Sequence, residues 1–506
     1  MTEGQIRLRY SGLIFFFFRL FSVGTGLLFT LMITRSITLE EYGVYGNLND
    51  ILSYFTLTSS IIPFWVTRFI ARQRPGAAET GLVVNAIVAA ISAAIYLLVI
   101  PWAVGAMGLS WVYLPTYIIG VLIIFGSHLV AVLEAILYSK RPETLGFGIF
   151  IFETSRLILG FLLIITFRLG LMGAIFGLAA AFFIQSLFYL LKYLLHELKF
   201  RLGIRWDYVR EWFKASAINV YGIMSGRILT LANIFLFIYV GEFSRAYYGA
   251  ASAIASIIGY SSSLAFALYP KLLSRANTGR EDVVLSLKMV LMFAVPMAVG
   301  AIMLSEDLLS ILNVSYSVAK PILIILSIDA LLSAFSSIFG SIVSGTEKFD
   351  IDARISFRDI VKSKLFLLLT LHYVQAAMVT SLAYILLSSA AVPDALEAAK
   401  HLALIVLGAG IFITIARYII SKRCLEFYIP WLSIGKYFAS SMIMALILYV
   451  FQMPARLSLT VFRTLLGALT YFAVLLAIDE ETRDVLKSAK REAMKKFLGP
   501  FNLGKI

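Results

Sequence analysis

The chain has one cysteine, Cys424, and four histidines in 506 residues. A single thiol excludes an internal disulfide framework, a paired-cysteine redox motif and a cysteine-built zinc site. His128 and His372 stand alone, without metal-ligand spacing, so backbone or hydroxyl partners are expected for them and a metal is not. Charge is also scarce, at 14% of residues, against about 25% in soluble domains. Catalytic patterns are missing too: HExxH, a DxD-type acidic cluster in a loop, a Walker loop with its Lys, a Ser/His/Asp set. Gly43-x-x-Gly46 follows no strand, so it is not read as a phosphate cradle. No enzyme, cofactor or ATP site is therefore expected. Any driving energy must come from ion gradients, the membrane potential or the substrate's own gradient.

What fills the chain is apolar sequence, 60% of it, with a mean hydropathy of +0.90. A bilayer core about 30 Å thick is crossed by roughly 20 apolar residues in a helix. Runs of that kind recur fourteen times, at 12–34, 43–67, 81–105, 111–137, 145–167, 170–191, 212–240, 246–269, 284–304, 318–343, 363–388, 397–419, 431–451 and 457–478. The run 363–388 is the most polar, with Lys364, His372 and Gln375. Gly12 to Thr34 is long enough to span and no small-residue cleavage site follows a short core, so it reads as a span and not a signal peptide.

Basic residues fix an expected orientation. With the N-terminus cytoplasmic, 31 of the 43 Lys and Arg fall on inner connections, and the bias alternates correctly at every connection. Both termini are then cytoplasmic. The net charge of +14 is assigned to anionic lipid at that face and not to nucleic acid.

Two segments match without a gap. Tyr42 to Arg72 aligns with Arg245 to Arg275, 203 residues on, sharing Tyr45/Tyr248, Gly46/Gly249, Ile51/Ile254, Ser53/Ser256, Ser59/Ser262, Ser60/Ser263 and Arg72/Arg275. Such self-similarity points to a duplication, the plan of many transporters. The basic connection 192–214 separates six runs from the next six. The expected fold is an all-α polytopic membrane protein. It has about 14 transmembrane helices in two pseudo-symmetric six-helix lobes, plus two C-terminal helices. The expected divisions are an N-terminal lobe (1–195), a cytoplasmic linker (196–211), a C-terminal lobe (212–424), helices 13 and 14 (425–478) and a basic tail (479–506).

Ionisable groups inside spans are costly, about 2.5–3.5 kcal/mol at mid-helix, and normally face a cavity or a partner. The candidates are Arg19, Glu134, Glu153, Arg156, Arg227 and Asp329. Arg19 and Arg227 sit in the first span of each lobe, though not in matching register. A guanidinium stays charged and offers a planar fork of donors suited to phosphate oxygens, so two of them would suit a pyrophosphate; snorkelling or an ion pair is the other option. Glu153 and Arg156, three apart, share a helix face and are expected to neutralise each other. Asp329 has no local partner and would either pair with an Arg or hold a coupling proton or sodium ion. Glu134, near an inner edge, would reach Lys140 or water. Lys436 and Arg463 lie near helix ends, where snorkelling suffices.

Taken in order, the first-span Arg19, the turn Thr34 to Gly46 (TRSITLEEYGVYG), the helix ending Arg68-Phe69-Ile70-Ala71-Arg72, the second copy AYYGAAS…LYPKLLSR and Ser344 to Lys348 resemble a known family. It is the polysaccharide biosynthesis flippases, the Wzx-like branch of the multidrug/oligosaccharidyl-lipid/polysaccharide exporter (MOP) superfamily. Leu39-Glu40-Glu41-Tyr42-Gly43 is the most specific piece. The resemblance implies a two-lobed plasma-membrane transporter that moves a lipid-linked oligosaccharide from the cytoplasmic to the outer leaflet by alternating access. It also implies a cationic central cavity, which Arg19 and Arg227 would line. Membrane lipids and a coupling proton or sodium ion complete the expected partners. The alternative in the same superfamily is a proton- or sodium-coupled multidrug (MATE-like) exporter, favoured only by Asp329 and Glu134. A glycosyltransferase or polymerase would carry a large outer loop, and the longest here, Ser305 to Ser317, is short.

Overall fold

The computed structural model describes residues 8–71, 73–140, 143–197, 203–265, 268, 280–346, 363–389 and 394–483. Residues 198–202 of the expected linker, Glu347 and Lys348 of the resemblance, and the basic tail from 484 lie outside the described residues. Among those described there is no strand. Among the described residues, eleven helices are long and apolar enough to cross a membrane, and they coincide with eleven of the fourteen expected spans. The remaining three expected spans fall on α1 (Leu8–Ser36), on α2 (Leu39–Thr56) with α3 (Ile61–Ala71), and on α11 (Glu242–Gly259). The all-α polytopic fold read from the sequence is the observed one.

By compactness the chain divides into residues 1–253 with 369–405, and 254–368 with 406–506. The first unit carries α1 to α3, α4 (Ala77–Ala106), α5 (Leu114–Ile119), α6 (Val121–Lys140), α7 (Glu143–Gly160), α8 (Gly170–Glu197), α9 (Trp206–Ala215), α10 (Ala217–Val240) and most of α11. The second carries α12 (Arg280–Met303), α13 (Ser305–Leu312), α14 (Lys320–Gly345), α17 (Trp431–Val450) and α18 (Leu457–Ile478). The chain passes between the units within α11, α15 (Lys364–Ser388) and α16 (Ala395–Cys424).

The turn that carries the family resemblance has a mechanical explanation in the first unit. Thr38 caps α2: its hydroxyl accepts from the Glu41 amide at 3.1 Å, while the Glu41 carboxylate accepts from the Thr38 amide at 2.9 Å. This reciprocal box satisfies two of the donors that every helix start leaves open. Glu40 accepts from the Tyr113 hydroxyl at 2.8 Å, tying α2 to the turn before α5. Gly43 is required by a close approach, because a Cβ there would lie 2.1 Å from the Glu242 carbonyl at the start of α11.

The two self-matching segments share a break. α2 gives way to a 3₁₀ turn at Leu57, and α11 gives way to one at Tyr260, the position 203 residues later. Each break carries the same local bond: Thr58 Oγ1 donates to the Phe55 carbonyl (2.9 Å) and Ser261 Oγ to the Ile258 carbonyl (2.8 Å). A hydroxyl bonding back one turn competes with the helix ladder and tightens it locally. The repeat is thus visible in backbone form as well as in residue identity.

The core of the second unit is α12 against α14, with Val283, Leu287, Val290, Ala294, Ile338 and Phe339 all buried. Polar groups are satisfied inside it: Tyr471 of α18 donates to the Met292 carbonyl at 2.7 Å. Lys436 pairs with Asp479 at 2.8 Å, and Arg463 pairs with Asp307 and donates to the Leu448 carbonyl at 2.9 Å. These two cations therefore have fixed partners, where the sequence suggested snorkelling alone. Asp479 also caps the helix that begins at Glu480, accepting from the Thr482 hydroxyl (2.5 Å) and amide (3.3 Å). Burial pushes the Asp479 carboxyl up, but the Lys436 and Thr482 bonds outweigh it and hold the group below the usual aspartate range. A depressed native pKa stabilises the fold above the unfolded value, about 3.9, and the stabilisation is lost as pH falls through the native value. Asp479→Asn should therefore lower thermal stability at neutral pH, by about 1–3 kcal/mol. It should also flatten the acid limb of a melting-temperature profile recorded in detergent; an unchanged profile would refute the cap.

Candidate functional site

The charges placed in spans by the sequence separate into those with partners and those without. Glu153 of α7 is buried and accepts from three donors: Ser22 (2.6 Å) and Thr25 (2.7 Å) of α1, and Arg156 (2.5 Å) one turn along its own helix. The Arg156 guanidinium also stacks over Phe29 (4.9 Å) and Phe152 (5.4 Å). The pair neutralises itself, as the i, i+3 spacing implied, and it pins α1 to α7. Glu134 of α6 accepts from Tyr189 (2.9 Å) and Gln185 (3.3 Å) of α8. His128 is likewise satisfied, by Thr58 (2.9 Å) and the Ile124 carbonyl (2.8 Å).

Arg227 differs. It lies in the span Val220–Val240, its Nε is buried without a hydrogen-bond partner, and no carboxylate pairs with it among the described residues. Its backbone is held from two sides. Tyr54 of α2 donates to the Arg227 carbonyl at 2.6 Å, and Thr380 of α15 donates to the Ile228 carbonyl at 2.9 Å. Tyr221, one and a half turns earlier, stacks on Tyr373 of α15 at 4.4 Å. The helix is clamped where the guanidinium leaves it.

Asp329 is the counterpart in the second unit. It is half-buried in the span Val314–Gly345, and among the described residues nothing hydrogen-bonds or ion-pairs with it. Its carboxylate lies over Gly410 of α16, where a Cβ would come within 2.5 Å of Oδ1. The side chain of Arg19 lies outside the described residues, so the structure describes one member of the Arg19/Arg227 pair.

A further ion pair, between α2 and α11, was also not expected from the sequence. Arg245, assigned there to an outer loop, is buried in α11, and its Nε donates to Asp50 of α2 at 2.7 Å. Gly46 makes room for it: a Cβ at that position would lie 3.0 Å from the guanidinium carbon. Asn47, one turn from Asp50, accepts from the Tyr117 hydroxyl at 2.6 Å. The available signal was Asp50 inside an apolar run, preceded by the two glycines Gly43 and Gly46 that permit a close crossing.

No family model matches the chain, and no curated protein matches it. Solved structures do. An inward closed conformation of the lipid II flippase MurJ aligns with a TM-score of 0.71 at 14% identity, covering 94% of this chain and all of the other. An inward-facing MATE multidrug-resistance transporter of the MOP superfamily aligns with a TM-score of 0.57 at 15% identity, covering 79% of this chain and 94% of the other. A MOP-superfamily transporter from Pyrococcus furiosus, described by the reverse polarity of its binding pocket, gives 0.53 at 14%, covering 83% and 98%. The chain shares the fold of these structures. At these identities the likeness carries architecture only.

The Asp50–Arg245 pair yields a stability test. Removing one partner of a buried pair strands the other charge, at a cost of about 3–5 kcal/mol, whereas replacing both with apolar residues is often neutral. Asp50→Ala or Arg245→Ala should each lower the denaturation midpoint in detergent strongly. Asp50→Leu with Arg245→Met should recover most of the loss; equal losses in single and double variants would show that the charges are not coupled.

Proposed function

We propose that the protein is a membrane transporter, not an enzyme, that flips a lipid-linked anionic glycan precursor from the cytoplasmic to the outer leaflet of the plasma membrane by alternating access. Its two lobes would be residues 1–195 and 212–424. The observation that carries this reading is Arg227, an intramembrane guanidinium on a clamped helix with no carboxylate partner among the described residues. A fixed, unneutralised guanidinium suits phosphate oxygens, which it can bind bidentately. Arg19 remains its proposed companion, and the Glu153–Arg156 pair and Glu134 would be wall groups.

The lipid moiety has apolar surface to follow. In the second unit a groove of about 370 Å³ is lined by Ile254, Ile258, Pro296, Met444, Leu448 and Phe472, among others. Its polar side chains, Thr464 and Tyr471, direct their hydroxyls to the backbone carbonyls of Thr460 (2.8 Å) and Met292 (2.7 Å). The lining therefore favours hydrocarbon. With the cell interior negative, each anionic charge moved outward gains about 2.3 kcal/mol per 100 mV, which favours export of a phosphorylated head group. The fold shared with a lipid II flippase supports this reading.

Asp329 supports a second reading, a proton- or sodium-coupled exporter, since a carboxylate over Gly410 with no partner among the described residues is a place for a cation. One reconstitution separates the two. In proteoliposomes carrying a fluorescent polyprenyl-pyrophosphate sugar, Arg227→Ala should slow translocation about 10–100-fold, the loss of one charge-assisted hydrogen-bonded contact. Arg227→Lys should retain part of the activity, and circular dichroism should be unchanged. Normal flipping by Arg227→Ala would reject the phosphate contact. If Asp329→Asn instead abolished gradient-driven efflux of an organic cation that the wild type transports, the exporter reading would stand.

A further inference from the structure

The ten residues of α9, WDYVREWFKA, have two aromatic faces and not one. At 100° per residue Tyr208 and Trp212 share a face, while Trp206, Arg210 and Phe213 share another; Asp207 and Glu211 fall between them on the far side. The structure uses the first face as core. Tyr208 and Trp212 are buried against Phe69 of α3, with ring centroids 5.0 and 5.5 Å away, and Arg74 stacks over Phe69 at 4.6 Å.

Polar bonds fix the helix there. Tyr208 donates to the Pro75 carbonyl at 3.2 Å, the Arg205 amide donates to Thr80 at 2.9 Å, and Glu211 pairs with Arg74 at 3.6 Å. These anchors flank membrane spans: Thr80 is in the first turn of the span Ala77–Ala106, and the next span after α9 begins at Val220. α9 therefore lies at the boundary between hydrocarbon and water.

Its second face is bare. Trp206 is 59% exposed and Phe213 54% exposed, with exposed Arg210 between them. Two aromatic rings beside a guanidinium match the chemistry of a bilayer interface, where indole and phenyl rings sit at head-group level and a cation meets lipid phosphate. The acidic residues are on the other edge, and Glu211 already faces Arg74. We propose that the Trp206–Arg210–Phe213 face of α9 is a docking surface for anionic lipid head groups in the adjacent leaflet, anchoring this segment of the chain to membrane charge as well as to hydrocarbon.

The test uses the full chain in nanodiscs of equal parts phosphatidylcholine and phosphatidylglycerol. Phe213→Cys in a Cys424→Ser background is labelled with bimane, a ring of similar size, and quenched by nitroxide on the head group of one lipid or the other. The phosphatidylglycerol nitroxide should quench more strongly. One basic residue near an anionic surface is worth about fivefold in local enrichment, so Arg210→Gln should reduce the quenching ratio by up to that factor, and Arg210→Lys should preserve it. Added salt should lower the ratio in the parent, since exposed charges are screened. No quenching by either lipid would mean that the face meets water or a protein and would overturn the proposal. So would quenching whose ratio is indifferent to Arg210→Gln.

Discussion

A charge in hydrocarbon has to be neutralised, hydrated or put to use, and this constraint organises the structure more than any apolar contact does. Hydrocarbon offers no water, so an unsatisfied group keeps its desolvation cost. The protein answers with pairs that are themselves further bonded. Glu153 has Arg156 and two hydroxyls; Arg463 has Asp307 and a backbone carbonyl; Asp479 has Lys436 and Thr482. Each pair joins elements that a purely apolar contact would leave free to slide, as Glu153 does for α1 and α7. Against that pattern Arg227 and Asp329 stand out, because the surrounding design shows how readily a partner is supplied where charge is only structural.

Hydrophobic length was enough to read eleven of the fourteen expected spans, since a helix satisfies its own backbone within one segment in a bilayer. Even the polar run 363–388 followed the rule. The break within the run 43–67 was not read from length, because Leu57 to Ser60 are apolar or small enough to continue a helix. It arises from hydroxyls that bond back to the preceding turn, a choice of geometry and not of hydropathy. The Glu153–Arg156 pair was legible because its partners lie three residues apart on one face. Asp50 and Arg245 are 195 residues apart and meet only when α2 and α11 cross, so neither could be recognised from the sequence as the other's partner. Lys436 and Arg463 were missed for the same reason: snorkelling can be judged from position, but a distant carboxylate cannot.

The matched segments connect these observations. Gly43 and Gly46 of the first copy allow the start of α11 in the second copy to come into contact, and Arg245 then reaches Asp50 through the gap that Gly46 leaves. The turn with the most specific family resemblance therefore has a packing origin: Thr38 and Glu41 set where α2 begins, Glu40 holds Tyr113, and Gly43 admits the other copy. A residue string can be distinctive because several contacts converge on it, without any of its members touching a substrate.

The same distinction bears on α10. A binding group is effective when its own backbone is fixed before the ligand arrives, because little ordering then remains to oppose association. Tyr54 and Thr380 bond consecutive carbonyls of α10 from α2 and α15, and the Tyr221–Tyr373 stack adds a third tie along the same helix. Extra donors to helix carbonyls are unneeded for the ladder itself, so their convergence on residues 227 and 228 has to be explained by what that turn holds. What it holds is a cation left without a carboxylate among the described residues, in a protein that elsewhere pairs its buried charges closely. A rigid backbone, and a side chain with no carboxylate partner among the described residues, are what the proposed phosphate contact at Arg227 would require.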